Sequence, residues 1–332
     1  MKKKLLTIVL SAMMAFSLAA CSGKSDNNAG AAEEKAQTEE NTPETVTIKS
    51  LNADQVEADL EVPYDPQRIA ILDMASLDIL DALGVGDRVV GSASTSLDYL
   101  QEYVTDENVL NLGTIKEADM EAVMESEPDV IFIGGRLSSL YNELSEIAPV
   151  VYLSTDTEAG VVESVKKNAE TIASMFGLED KVEELMADFD GRIEKLAAFA
   201  EGKNAIVGLC TSGSFNVLGN DGRCSIIGRE IGFENVGVEA DIDTSTHGNE
   251  ASFEYIVEKN PEYIFVMDRD AAIGTDGAQL AKDIVENELV KGTDAYKNGN
   301  IVYLAHPAVW YTAEGGVTAL DLMLQDLESD LL

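Results

Sequence analysis

The sequence repeats one stretch of itself. Glu254–Arg269 reads EYIVEKNPEYIFVMDR, and Glu121–Arg136 reads EAVMESEPDVIFIGGR. Pro128 aligns with Pro261, Phe132 with Phe265 and Arg136 with Arg269, at a constant offset of 133 residues without a gap. Each copy predicts a short amphipathic helix stopped at a proline corner, where the ring forbids helix continuation. A β-branched and aromatic run follows, which is a buried strand. An arginine stands just past its C-terminal end, and that end is where open α/β sheets bind ligands. A duplicated unit of this kind implies two similar lobes, each aiming a cation at a shared cleft.

The rest of the pattern fits two α/β lobes. In the first, Arg68–Met74 is a predicted strand and Ala75–Leu83 a helix closed by Gly84. Arg88–Ser92, Val130–Gly134 and Pro149–Ser154 are further strands. In the second, Asn204–Thr211, Val236–Val238, Tyr263–Met267 and Asn300–Ala305 are strands, with helices over Ser225–Ile231 and Leu280–Asn287. Between them, apolar residues at helical spacing from Val161 to Leu196 predict a linker of one long helix, or two in tandem broken at Gly177. The fold class expected is therefore α/β: two pseudo-symmetric lobes joined by a long rigid linker helix, with the ligand cleft between them. The boundaries expected are 46–157 for the first lobe, 158–201 for the linker region and 202–332 for the second lobe. Val46–Pro63 is expected to add one or two edge strands.

The amino terminus reads as targeting. Lys2–Lys4 form a basic region and Leu5–Leu18 an apolar one too short for a stable span. Leu18-Ala19-Ala20-Cys21 then resembles a bacterial lipobox, whose cysteine becomes the lipidated terminus. Residues 1–20 are thus expected to be a lipoprotein signal peptide, and 21–45, nearly devoid of large apolar residues, a disordered tether. The protein would then lie outside the cytoplasm, anchored to the cell membrane through Cys21.

Charge and composition exclude several classes. A formal net charge of −38 leaves nothing to neutralise nucleic-acid phosphates. With only His247 and His306, a multi-histidine zinc site is nearly excluded. No GxSxG, HExxH, Walker-type or strand-linked GxGxxG motif occurs. Cys210 and Cys224 form no CxxC; a disulfide between them is chemically open outside the cytoplasm, but the apolar run around Cys210 favours buried thiols.

Against this acidity the cleft arginines stand out. Arg136 follows Gly134-Gly135, Arg269 follows Asp268, and Arg223 lies in the turn LGNDGRC. A surface ion pair is the ordinary role of any one arginine, and the repeat weakens that reading for Arg136 and Arg269. His247 sits in the polar turn Ser245–Asn249, exposed or ligating. His306 precedes Pro307 and is read as structural. Trp310 and Tyr311, placed in a loop after the last strand, either line a pocket or cap the core.

RIAILDMASLDILDALG (Arg68–Gly84), PDVIFIGGR (Pro128–Arg136), STHGNEASFEYI (Ser245–Ile256), NPEYIFVMDR (Asn260–Arg269) and VWYTAEGG (Val309–Gly316), with the lipobox before them, resemble the ferric-siderophore-binding lipoproteins of bacterial ABC importers, particularly the catecholate and petrobactin-type group. The resemblance runs in order from about Val46 to the C-terminus. It implies a non-catalytic, monomeric binding protein with no intrinsic cofactor. Its ligand would be an anionic ferric siderophore and its partner a membrane permease. It places an arginine triad on Arg136, Arg223 and Arg269, direct iron ligands on His247 and Tyr311 for an incompletely coordinated siderophore, and Trp310 in the pocket wall. Haem, cobalamin or a hydroxamate siderophore remains open as cargo, and an extracytoplasmic hydrolase as the more distant alternative.

Overall fold

The structure is a computed structural model, and it describes residues 43–156, 158–237, 248–250 and 252–332. The chain enters through an antiparallel hairpin, β1 (Thr45–Leu51) and β2 (Glu57–Pro63), paired along their full length. The first lobe follows with β3 (Ile69–Leu72), β4 (Val89–Ser92), β5 (Leu110–Asn111), the small antiparallel pair β6 (Gly113–Thr114) and β7 (Glu117–Ala118), then β8 (Val130–Ile133) and β9 (Val150–Tyr152). Its sheet has the order β5-β4-β3-β8-β9, and every neighbour is parallel. All residues of β3, β8 and β9 are buried, as a sheet covered on both faces requires.

The second lobe holds β10 (Asn204–Thr211), β11 (Ser214–Leu218), β12 (Glu234–Asn235), β13 (Asn249–Glu250), β14 (Tyr263–Asp268) and β15 (Ile301–Tyr303). Parallel β10-β14-β15 repeats the parallel β3-β8-β9 of the first lobe. β12 lies parallel beside β10, while β11 and β13 extend the sheet antiparallel. The mixed α/β class and its two lobes are as the sequence predicts.

The repeat is finer in space than in sequence. The helices Met120–Glu125 and Phe253–Lys259 begin at equivalent N-caps, Asp119 and Ser252, whose side chains accept first-turn N–H groups. They are followed by equivalent left-handed residues, Glu127 (φ 43°) and Asn260 (φ 40°), ahead of Pro128 and Pro261. The next residues, Asp129 and Glu262, use their carboxylates to hold backbone N–H groups at the start of the neighbouring strand, Arg68 and Asn204 respectively. Each unit therefore carries its own start, stop and docking point.

The linker differs from expectation. It contains three helices, Val161–Ser174, Glu179–Met186 and Phe189–Ala200. Gly177 makes the first break at φ +65°, where a Cβ would lie 2.5 Å from the Tyr64 hydroxyl. The second break, at Ala187–Asp188, has no glycine or proline to announce it. The two-residue β12 lies just ahead of the predicted strand Val236–Val238, of which Val236 and Gly237 are not in a strand and Val238 lies outside the described residues; β11 was not predicted.

One apolar cluster runs from Ile48 through the linker helices to Leu331, so the two lobes share a core. Carboxylates cross between them to cap helices that cannot cap themselves. The final helix, Val317–Leu331, starts at Gly316, which has no side chain to offer. Asp78, from the helix Met74–Ala82 of the first lobe, supplies both oxygens: Thr318 N–H and Ala319 N–H donate at 2.9 Å each. The Tyr99 hydroxyl also donates to Asp78, at 2.6 Å. A Cβ on Gly316 would meet Asp78 Cγ at 2.4 Å, so glycine there makes the cap possible. Conversely, Glu230 of the second lobe accepts from Val161 N–H and Val162 N–H at the start of Val161–Ser174, beside Gly160 (φ +98°). Arg192 ties Phe189–Ala200 to the final helix through Glu328 (2.9 and 2.8 Å) and Asp321 (2.6 Å).

Burial pushes the Asp78 carboxyl up to about 6, against the pull of the Tyr99 hydroxyl and the helix N–H groups. Its folded pKa lies above its unfolded one, so this contribution is complete below the ordinary carboxylate range and is lost as pH rises through 6. Asp78→Ala leaves three donors without their acceptor and is expected to cost about 2–4 kcal/mol in chemical denaturation at neutral pH. The variant is also expected to lose the decline in stability between pH 4 and pH 6 that Asp78 imposes.

Candidate functional site

The two repeat units deliver their arginines to one place. β8 ends at Ile133, and Gly134 admits the Asp73 side chain, since a Cβ there would sit 2.5 Å from Asp73 Oδ1. Arg136 follows in the tight helical turn Gly135–Leu140 and is exposed. β14 ends at Asp268, whose carboxylate accepts from Ala271 N–H and caps the short helix Arg269–Ala272. Arg269 is the first residue of that helix. Arg223 lies on the turn before the helix Ser225–Arg229, where Cys224 has φ +60° and donates its N–H to Glu314 Oε1 at 2.9 Å.

All three guanidiniums converge on Tyr311. The Cζ of Arg223 is 4.4 Å from the ring centroid, and those of Arg136 and Arg269 are 5.5 Å away. Arg269 Nε donates to the Tyr311 hydroxyl at 3.0 Å, and Arg223 Nε to the Tyr311 carbonyl at 3.4 Å. The tyrosine is only 4% exposed. Burial alone would raise its phenol. The hydrogen bond from Arg269 and the charges of Arg223, Arg269 and Arg136 outweigh burial and bring it below the ordinary tyrosine value. Burial, and then the Arg136 charge, lowers Arg223 below the usual arginine range.

Arg223 and Tyr311 line a cavity of about 200 Å³ together with Asp73, Ser76, Gly134, Ser154, Asn168 and Glu314. A second cavity of about 660 Å³ shares Leu153, Ser154, Thr155 and Asn168 with it and extends towards Gln55 and Lys167. The Ser96 hydroxyl donates across the cleft to the Ala272 carbonyl at 3.0 Å. Two carboxyls temper the positive charge. Burial pushes Glu314 up to about 7 while Arg223 and the Cys224 N–H pull it down, and burial raises Asp73 against its bonds from Ser76 and the Arg136 charge.

Of the residues singled out in the sequence, Arg136, Arg223, Arg269 and Tyr311 are brought together. Trp310 is not with them. It is fully buried, and its indole N–H donates to Asp326 at 2.9 Å, so it belongs to the core rather than the pocket wall. The loop expected for this pair is a helix, Pro307–Thr312, with proline in its first turn. His306 also binds Asp326, through its ring nitrogen at 2.6 Å and its backbone N–H at 3.0 Å, and is structural. His247 and Cys21 lie outside the described residues. Cys210 and Cys224 are both buried and free. Asp73, Glu314, Thr211 and Asp270 escaped the sequence reading; only Asp73 carried a signal, as an N-cap ahead of Met74–Ala82.

A two-lobed α/β fold with a cationic, phenol-centred cleft defines a solute-binding protein. The periplasmic binding protein family model matches residues 69–308, and the chain belongs to that family. It is 34% identical to the petrobactin-binding protein YclQ of Bacillus subtilis (strain 168) over 332 residues, 99% of each chain. The crystal structure of YclQ superposes with a TM-score of 0.79 at 36% identity, covering 87% of this chain and 99% of that one. The catecholate-siderophore-binding protein VctP from Vibrio cholerae gives 0.77 at 30% identity, covering 86% of this chain and 100% of that one.

Tyr311 is lowered, whereas burial raises Tyr99, Tyr103, Tyr141, Tyr152, Tyr263 and Tyr303. In an alkaline titration followed by phenolate absorbance, the earliest step is expected to vanish in Tyr311→Phe. Its survival would contradict the electrostatics derived for the cluster.

Proposed function

We propose that the protein is an extracytoplasmic receptor that captures an anionic ferric-catecholate siderophore in the cleft and delivers it to the permease of an ABC importer. The observation that carries this reading is the gathering of three guanidiniums within 5.5 Å of one phenol. Ferric catecholates are anionic and crowded with oxygen acceptors, and planar guanidiniums meet such oxygens with several charged hydrogen bonds. A neutral hydroxamate complex has no equivalent need for three arginines. The names of YclQ and VctP, petrobactin-binding and catecholate-siderophore-binding, support the same cargo.

Fe(III) is a hard cation, for which phenolate is a suitable ligand. Tyr311, its phenol already lowered by the arginines, would supply that ligand when a siderophore leaves iron coordination incomplete, and His247 would supply a second. Arriving catecholate oxygens would draw the guanidiniums off the ring and uncover the hydroxyl. The receptor acts without catalysis, as a monomer held to the membrane by a lipid on Cys21. The acidic outer faces of its lobes meet basic loops of the permease.

Arg136→Ala and Arg269→Ala are each expected to weaken binding of a ferric bis-catecholate by roughly tenfold or more, the scale of a lost charge-assisted hydrogen bond. Calorimetric titration of the purified variants reads this directly. Unchanged affinity in both would remove the site from the account.

A further inference from the structure

The duplicated unit diverges immediately after its arginine. At the shared offset, Leu137 follows Arg136 where Asp270 follows Arg269. Leu137 is a core residue, 1% exposed. Asp270 is equally enclosed, at 5%, but it is a carboxylate, and its partners are specific. Its Oδ2 accepts from Ser212 N–H at 2.7 Å, and its Oδ1 accepts from the Thr211 hydroxyl at 3.3 Å. The Thr211 oxygen in turn accepts from Arg269 Nη1 at 3.0 Å, while the direct approach of Nη1 to Asp270 is longer, at 3.5 Å. The order is therefore a relay: guanidinium to hydroxyl to carboxylate.

This relay fixes the guanidinium on one edge, and the Tyr311 hydroxyl fixes it at Nε. Nη2 has no acceptor among the described residues. The same carboxylate holds Ser212 at φ +51°, the left-handed residue that turns β10 into β11 and sets the position of Thr211. Asp268 has a separate task, accepting from Ala271 N–H and Ala281 N–H. Arg136 has no such support: no side-chain hydrogen bond ties it among the described residues.

We infer that Asp270, acting through Thr211, is a positioning residue that presets Arg269 with its Nη2 edge presented to the ligand. The second lobe thus supplies a fixed anchor and the first lobe an untethered arginine. An arginine held in place loses less rotamer freedom on binding than a free one, and that difference appears as affinity. The inference rests on the proposed binding function, because it concerns how that site is prepared.

The test is a double-mutant cycle on the mature full chain, with the ferric complex of a linear bis-catecholate as probe. Asp270→Asn and Thr211→Val are each expected to weaken binding about tenfold in the wild-type background. In an Arg269→Ala background the same changes are expected to cost less than about twofold, since residues that act through one another are not additive. Thr211→Val keeps the test available if Asp270→Asn fails to fold. Equal losses in both backgrounds, or no loss from either substitution, overturns the inference and leaves the proposed function standing. A wild-type chain that does not bind the probe overturns the proposed function itself.

Discussion

Three guanidiniums held around one phenol repel each other, and much of the local architecture answers that repulsion. Arg223 is the most constrained: burial and the neighbouring Arg136 both work against its charge. The protein places a carboxyl near each arginine, Asp73 by Arg136, Glu314 by Arg223 and Asp270 by Arg269. These groups lie beside the arginines without closing the cluster around the phenol. Burial raises both Asp73 and Glu314, and Glu314, pushed up to about 7, carries only part of its opposing charge near neutrality. The result is a local positive site inside a chain of net charge −38.

Such a cluster needs a rigid frame, because Arg136 comes from one lobe and the other residues from the second. The shared apolar core and the crossed caps provide it. Asp78 holds the start of the final helix, and Glu230 the start of the first linker helix. Each cap depends on a glycine, Gly316 or Gly160, whose missing side chain admits the other lobe's carboxylate. Relative placement of the lobes is thereby coupled to the integrity of the helices that join and close them. Asp78 is fully buried, so leaving it unpaired would be costly, which adds specificity to the docking.

What could be read from the sequence was local or repeated. The helix–proline–strand–arginine unit announced itself through proline corners and β-branched runs, and Arg136 and Arg269 followed from it. Arg223 and Tyr311 came from resemblance more than from pattern. Trp310 was misplaced for a geometric reason. Consecutive residues on a helix point about 100° apart, so of two adjacent aromatics one enters the core and the other the cleft. Pro307, at the first helical position, is compatible with that helix, but the expectation of a loop after the last strand passed over it. Asp78, Glu230 and Asp270 were illegible because their partners are distant or depend on a turn. No periodicity records that Asp78 will meet Thr318, 240 residues away.

The central claim is that this cleft selects its cargo by negative charge presented on oxygen. Titration of the mature protein with a panel of ferric siderophores of matched size, anionic catecholates against neutral hydroxamates, tests it most directly. The account predicts that catecholates bind far more tightly and that their advantage shrinks as ionic strength rises. Equal or tighter binding of the neutral hydroxamates would contradict it.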